Sequence, residues 1–290
     1  MTLEGRQDEG GFKFYHYDPS IAGAAVFILL FLGTTVFHSW QMFRTRCWVA
    51  IPLVVGGLLE IIGYVGRAIS GRQSPDWTLG PYIIQAIFLL VAPALFAATI
   101  YMEFGRLVTR TDAESYTVVK HKWITKIFVA GDVLSFVLQG GGGGYQSSGS
   151  LQALDTGSRI IIVGLFVQLA FFGFFMVSAC AFHRRLVRQP TIRSRSGWSC
   201  PWRKHLYTMY GASLLIMVRS IFRAVEYLQG NDGYILSHEV YLYALDALLM
   251  FAMMVLFNAI HPSEIVAPVK SEEGSRDTLD VHLERYYQGL

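Results

Sequence analysis

Seven runs of mostly apolar residues constrain this 290-residue chain more than any other feature. Each exceeds the roughly 20 residues that a helix needs to cross a ~30 Å hydrocarbon core. They run Ser20–Met42, Trp48–Ser70, Pro81–Glu103, Lys122–Gly142, Ser158–His183, Lys204–Tyr227 and His238–Ile260, and together take more than half of the sequence. The loops between them are too short for a separate soluble domain. The expected fold is therefore all-α: an integral membrane bundle of seven transmembrane helices over 20–261, with a polar tail at 1–19 and a flexible one at 262–290. Composition agrees. Charged residues make up 16% and hydrophobic ones 53%, whereas a soluble domain carries about 25% charged residues. A soluble globular protein, a disordered chain and a nucleic-acid binder are excluded on that balance, and three cysteines exclude a disulfide scaffold. The first run is too long for the core of a cleaved signal peptide, and the tail before it is acidic as well as basic, so it reads as a permanent span.

Lysine and arginine set the sidedness. Arg44, Arg46, Arg106, Arg110, Lys120, Lys122, Arg184, Arg185, Arg188, Arg193, Arg195, Arg203 and Lys204 fall in loops on one side of the membrane. The opposite side holds Arg6, Lys13 and Arg72, with Arg159 at a helix edge. The positive-inside rule then puts the N-terminus outside and the C-terminus in the cytoplasm. Cys47, Cys180 and Cys200 all lie toward the cytoplasmic side, where thiols stay reduced. The basic loop 184–204 is a topology determinant and a candidate surface for anionic lipid headgroups.

Local features sharpen the outline. Phe12, Phe14, Tyr15 and Tyr17 read as an interfacial aromatic belt, with Ser20 or Asp18 as the first helix cap. Gly56, Gly57, Gly63 and Gly66 allow close helix packing, and Pro93 is expected to kink the third span. Five consecutive glycines, Gly140–Gly144, are poor helix formers and are expected to end the fourth span.

Charged side chains inside a span cost about 2.5–3.5 kcal/mol each on insertion scales, so they point to function. Glu60, Tyr64 and Arg67 stand at i, i+4 and i+7 and share one helix face. One face is likewise shared by Asp132, Ser135 and Gln139 in span 4 (i, i+3, i+7), by Arg219, Arg223 and Glu226 in span 6 (i, i+4, i+7), and by Glu239 and Asp246 (i, i+7), beside His238, in span 7. Such stripes face the bundle interior. With the orientation above, Glu60 and Asp132 lie near the midplane, with Arg219 and Asp246 between them and the outer group. Arg67, Gln139, Arg223, Glu226, His238 and Glu239 lie toward the outer face, with Gln85 entering from the outer end of span 3. The expectation is one polar cavity with five acids against three arginines, suited to an amine-bearing amphiphile. Structural ion pairs are the competing reading for part of this set.

Several stretches resemble the Rta-type fungal lipid-translocating exporter family. They are Tyr15-His16-Tyr17-Asp18-Pro19-Ser20, the run Gly56-Gly57-Leu58-Leu59-Glu60 through Gly63-Tyr64-Val65-Gly66-Arg67, Pro81-Tyr82-Ile83-Ile84-Gln85, Ala92-Pro93-Ala94-Leu95-Phe96, Gly131-Asp132 with Ser135 and Gln139, Arg219-Ser220-Ile221-Phe222-Arg223 with Glu226, His238-Glu239 with Tyr243 and Asp246, and Asn258-Ala259-Ile260-His261-Pro262. The resemblance implies seven spans with the N-terminus outside, in the plasma membrane or a related membrane. It implies a non-enzymatic exporter of lipids or amphiphiles, such as sphingoid bases, aminosterols or toxic metabolites, giving resistance. One branch of the family is associated with porphyrin uptake.

No G-x-x-x-x-G-K-Ser/Thr motif is present, so the energy for transport would come from the substrate gradient or from protons on Glu60, Asp132 or Asp246. No cofactor is expected. A seven-span receptor or stress sensor is the alternative on topology, although Tyr101-Met102-Glu103-Phe104-Gly105-Arg106 lacks the receptor signature Asp/Glu-Arg-Tyr. An intramembrane lipid hydrolase ranks below both, because only His238 with Glu239 and Asp246 would offer three metal ligands.

Overall fold

The computed structural model describes residues 15, 17–146, 150–195, 201–230 and 233–266. The expectations placed on the tails before Tyr15 and after Val266, and on 196–200 of the basic loop, lie outside the described residues. Seven helices are long and apolar enough to cross a membrane. They are α1 (Ile21–Thr45), α2 (Ile51–Arg72), α3 (Leu79–Arg110), α4 (Ile124–Gln146), α5 (Leu151–Arg188), α6 (Trp202–Gln229) and α7. The last is composite: Glu239–Leu242, a π-helical turn at Tyr243–Ala247, and Leu248–Ala259. The chain is a multi-pass membrane protein whose described residues are mostly helical and contain no strand. In hydrocarbon each backbone polar group must be satisfied within its own segment, which is why these runs become helices.

Ser20 caps α1, its hydroxyl accepting from the Gly23 amide at 3.1 Å. At the other end, Arg46 takes the left-handed conformation that closes the helix. The most intimate pairings are α4 with α5, α2 with α3, and α1 with α2. Between α2 and α3, a Cβ on Gly66 would sit 3.0 Å from the Pro81 carbonyl oxygen, so glycine sets that approach. Aromatic side chains fill the space between α3, α4 and α5: Tyr101, Phe104, Phe128, Phe172, Phe175 and Phe182 are buried, with Tyr101 and Phe175 ring centres 4.7 Å apart. Helix α1 turns Leu29, Leu32, Val36, Phe37 and Trp40 outward, as a lipid-facing helix does.

The glycine run does not end the fourth span. Helix α4 continues through Gly140–Gly144 to Gln146. The reason is packing: a Cβ on Gly142 would fall 2.7 Å from the Gly157 carbonyl oxygen, and one on Gly157 would fall 2.6 Å from that of Gly142. Two bare backbones meet there, and close backbone approach of this kind holds helices together in lipid. Low helix propensity measured in water does not decide the matter where water is absent. The aromatic belt also differs from expectation. Tyr15 is buried and Tyr17 half-buried; both turn into the bundle.

Candidate functional site: a buried charge cluster in the amino half

The stripe on α2 meets stripes on α6 and α7 in the half of the bundle that carries Tyr15. Arg67, whose side chain is fully buried, is the anchor. Its Nη2 donates to Glu239 Oε1 at 2.6 Å and to the Tyr17 hydroxyl at 2.9 Å, and its Nε donates to the Tyr243 hydroxyl at 3.1 Å. The rings of Tyr15, Tyr17 and Tyr243 surround the guanidinium at 5.9, 5.5 and 5.3 Å, within cation–π range. Its Nη1 has no partner.

The segment Tyr15–Ser20 lies across this end. The Tyr15 hydroxyl donates to Gln85 Oε1 at 2.9 Å, and its ring packs edge-on against Trp77 and Tyr82. Ser74 hydrogen-bonds to Asp18, and the Ser20 amide donates to Glu239 Oε1 at 2.8 Å. Burial pushes the Tyr17 hydroxyl above its ordinary pKa, with the adjacent Arg67 pulling the other way.

Deeper in the bundle, Arg219 on α6 holds Asp246 on α7 through Nε and Nη2. That Nη2 also donates to the Leu89 carbonyl oxygen at 2.7 Å. Leu89 stands four residues before Pro93, the one residue type that cannot return a helical N–H to it. Pro93 frees a carbonyl in mid-membrane, and an arginine from another helix satisfies it. Asp246 itself lies in the π turn of α7, a distortion often found at functional sites. One turn along α6 from Arg219, Arg223 Nη1 pairs with Glu226 Oε2 at 2.6 Å, and that pair is electrostatically coupled to Asp246. Glu60 is 1% exposed, and neither of its carboxyl oxygens has a hydrogen-bond partner. Its charged neighbours are Asp246 and Arg219. Tyr64, fully buried with its hydroxyl also unpartnered, interacts with Glu60, Asp246, Arg219 and Arg67, and so bridges the two levels.

The structure thus brings together Glu60, Tyr64, Arg67, Arg219, Arg223, Glu226, Glu239 and Asp246, with Gln85 at the rim. It does not bring in the other three expected residues. Asp132 faces Tyr101 between α3 and α4, with both carboxyl oxygens unpartnered. Gln139 bonds Ser135 at 2.6 Å and Gln168 of α5 at 3.2 Å. His238 is exposed, stacks on Tyr234 at 4.2 Å and bonds the Tyr234 carbonyl. The ligand trio on which the hydrolase reading rests therefore does not assemble: Glu239 and Asp246 are each held by an arginine. Among the described residues no group of three or more His, Cys, Asp or Glu side chains is placed to hold a metal ion.

Sequence reasoning missed a second polar knot, at the opposite end. His205 of α6 is fully buried, with Nδ1 2.8 Å from Glu103 Oε1 of α3 and Nε2 3.1 Å from Glu264 Oε2 beyond α7. Lys204 reaches the same Glu264 at 3.0 Å. The signal was present in the sequence: Glu103 and His205 sit at the edges of spans on the same side of the membrane.

Known proteins supply the context for this geometry. The model of the RTA1 like protein family matches residues 53–268. The chain is 38% identical over 285 residues to Protoporphyrin uptake protein 1 of Saccharomyces cerevisiae, covering 86% of this chain and 92% of that protein. It is 30% identical over 274 residues to Probable lipid transporter atnI of Emericella nidulans, covering 90% of this chain and 70% of that one. It is 27% identical over 257 residues to Sphingoid long-chain base transporter RSB1 of Saccharomyces cerevisiae, covering 78% and 67%. No solved structure matches. With seven spans in place and the family model covering six of them in full or in large part, this chain belongs to the RTA1-like protein family.

Proposed function

We propose that this chain is a membrane transporter that exports lipids or amphiphilic compounds, among them sphingoid bases and toxic metabolites, and so confers resistance. The carrying observation is the cluster around Arg67 and Arg219: four carboxyls and three guanidiniums in the amino half of the bundle, all buried except the half-buried Glu239 and Arg223. A bundle needing only mechanical strength would fill that space more cheaply with apolar side chains. Buried polar groups left without partners, Glu60 and Tyr64 foremost, suit a polar headgroup while the acyl chain stays in lipid or between helices. Two relatives bear the names of lipid transporters, which supports the same substrate class.

The protein acts in the plasma membrane in this reading. In it the N-terminus is outside, the sidedness that the basic residues at the Arg188 end of the bundle favour, and the cluster then faces the exterior and release. The test is efflux of a labelled long-chain base from cells making the full chain, beside a Glu60→Gln variant at equal surface level. Faster efflux that the variant loses supports the reading. Unchanged efflux from cells with the wild-type protein at their surface overturns it.

A further inference from the structure

In the amino-half cluster, Arg67 pairs with Glu239, Arg219 with Asp246 and Arg223 with Glu226. One acid remains, and the geometry identifies it as Glu60, both of whose oxygens are buried and unpartnered. From α6 and α7 it faces Arg219 and Asp246, and on its own helix Tyr64. Against this stretch of α2, helix α1 lays Phe31 and Thr35, and α3 lays Leu89, Ala92 and Phe96, all uncharged. Arg219 is already engaged by Asp246 and the Leu89 carbonyl. Glu60 is thus a buried carboxyl group to which no described side chain donates a hydrogen bond and which has no arginine of its own.

We propose that Glu60 is a single site for either a proton or the cationic headgroup of an amphiphile, each excluding the other, so that the chain exchanges protons for organic cations. This inference rests on the transporter reading above. When an ammonium group enters, Glu60 releases its proton to water and the carboxylate takes the ammonium. When the ligand leaves, a proton returns. The net charge of the cluster is the same in both states, so neither leaves an unpaired charge in hydrocarbon. The unpartnered Tyr64 hydroxyl lies between Glu60 and Arg67 on the same face of α2. The route for the proton therefore runs toward the amino end.

The full-length protein in lipid nanodiscs is titrated with a fluorescent alkyltrimethylammonium, a permanent cation with no proton of its own. Affinity should tighten by up to about tenfold per pH unit as pH rises, and each ligand bound should release about one proton to an indicator dye in weak buffer. Glu60→Gln should abolish both the pH dependence and the proton release. An infrared pH titration of the unliganded protein gives an independent readout, a protonated-carboxyl band that Glu60→Gln removes. Affinity indifferent to pH, absence of binding, proton release that persists in Glu60→Gln, or a protonated-carboxyl spectrum that the substitution leaves unchanged overturns the proposal. Proton-linked binding without movement across liposomes would fell the transporter reading and leave this site standing. Transport with pH-independent binding would do the reverse.

Discussion

Arg219 is the residue whose loss should unsettle the membrane core most, and the structure says by how much. Arg219→Met removes both donors that reach Asp246, the guanidinium nearest Glu60, and the donor that satisfies the Leu89 carbonyl freed by Pro93. Stranding one member of a buried ion pair costs about 3–5 kcal/mol. An orphaned buried carbonyl adds about 1–3 kcal/mol. Asp246→Leu is the milder change. Arg219 keeps the Leu89 carbonyl, and the Glu60 carboxyl beside it can ionise in place of Asp246, so the loss is that of hydrogen bonds to a charged group, about 1.5–3 kcal/mol. The double variant, lacking the pair altogether, should recover at least about 2 kcal/mol relative to Arg219→Met, since replacing a whole buried pair by apolar residues is often near neutral. Reversible unfolding of the purified protein in mixed micelles, followed by circular dichroism, measures all three. If Asp246→Leu destabilises as much as Arg219→Met, or the double variant is no better than Arg219→Met, the network around Arg219 is not as described.

Other outcomes follow from the packing. Gly142→Val should split α4 from α5 and lower thermal stability sharply, because its side chain would drive into the Gly157 backbone. Gly143→Ala, with nothing within 4 Å of its Cβ, should leave stability unchanged. The pair forms its own control in a detergent melting assay. His205→Ala should leave the fully buried Glu103 without its hydrogen-bond partner and cost about 1–3 kcal/mol, read as a lower melting temperature and faster proteolysis around Glu264. Burial pushes the Cys47 thiol above its usual pKa. Because the thiolate is the reactive form, alkylation of Cys47 should stay slow in the folded protein through pH values at which an ordinary thiol reacts, and become rapid on unfolding.

The spans were legible because hydrocarbon thickness imposes a length that composition reveals directly. The polar stripes were legible for a related reason: spacing at i, i+4 and i+7 fixes a face whatever the neighbours are. Partners were not legible, because which stripe meets which depends on how each helix is rotated about its axis. Asp132 shows the consequence. It matches Glu60 in depth and residue type, yet its helix turns it to Tyr101. Arg219 shows another: Pro93 announced a broken backbone hydrogen bond, and no sequence rule says which residue 126 positions later would mend it. The glycine run was misjudged because its cue, helix propensity, is a property of water, while the α4–α5 contact is decided by how closely two backbones can lie.

The π turn of α7 carries one extra residue in its helical winding, which swings everything beyond it by about 100° around the axis relative to a regular helix. Asp246 lies inside that turn, with Tyr243, the ring that touches Arg67, at its start. Such a turn can be passed along a helix one residue at a time, each step releasing one backbone bond and forming another. A helix built this way re-aims a carboxyl group through a quarter-turn while its ends stay docked and its backbone stays sealed from lipid. In α7 the winding changes at the level where the charges sit.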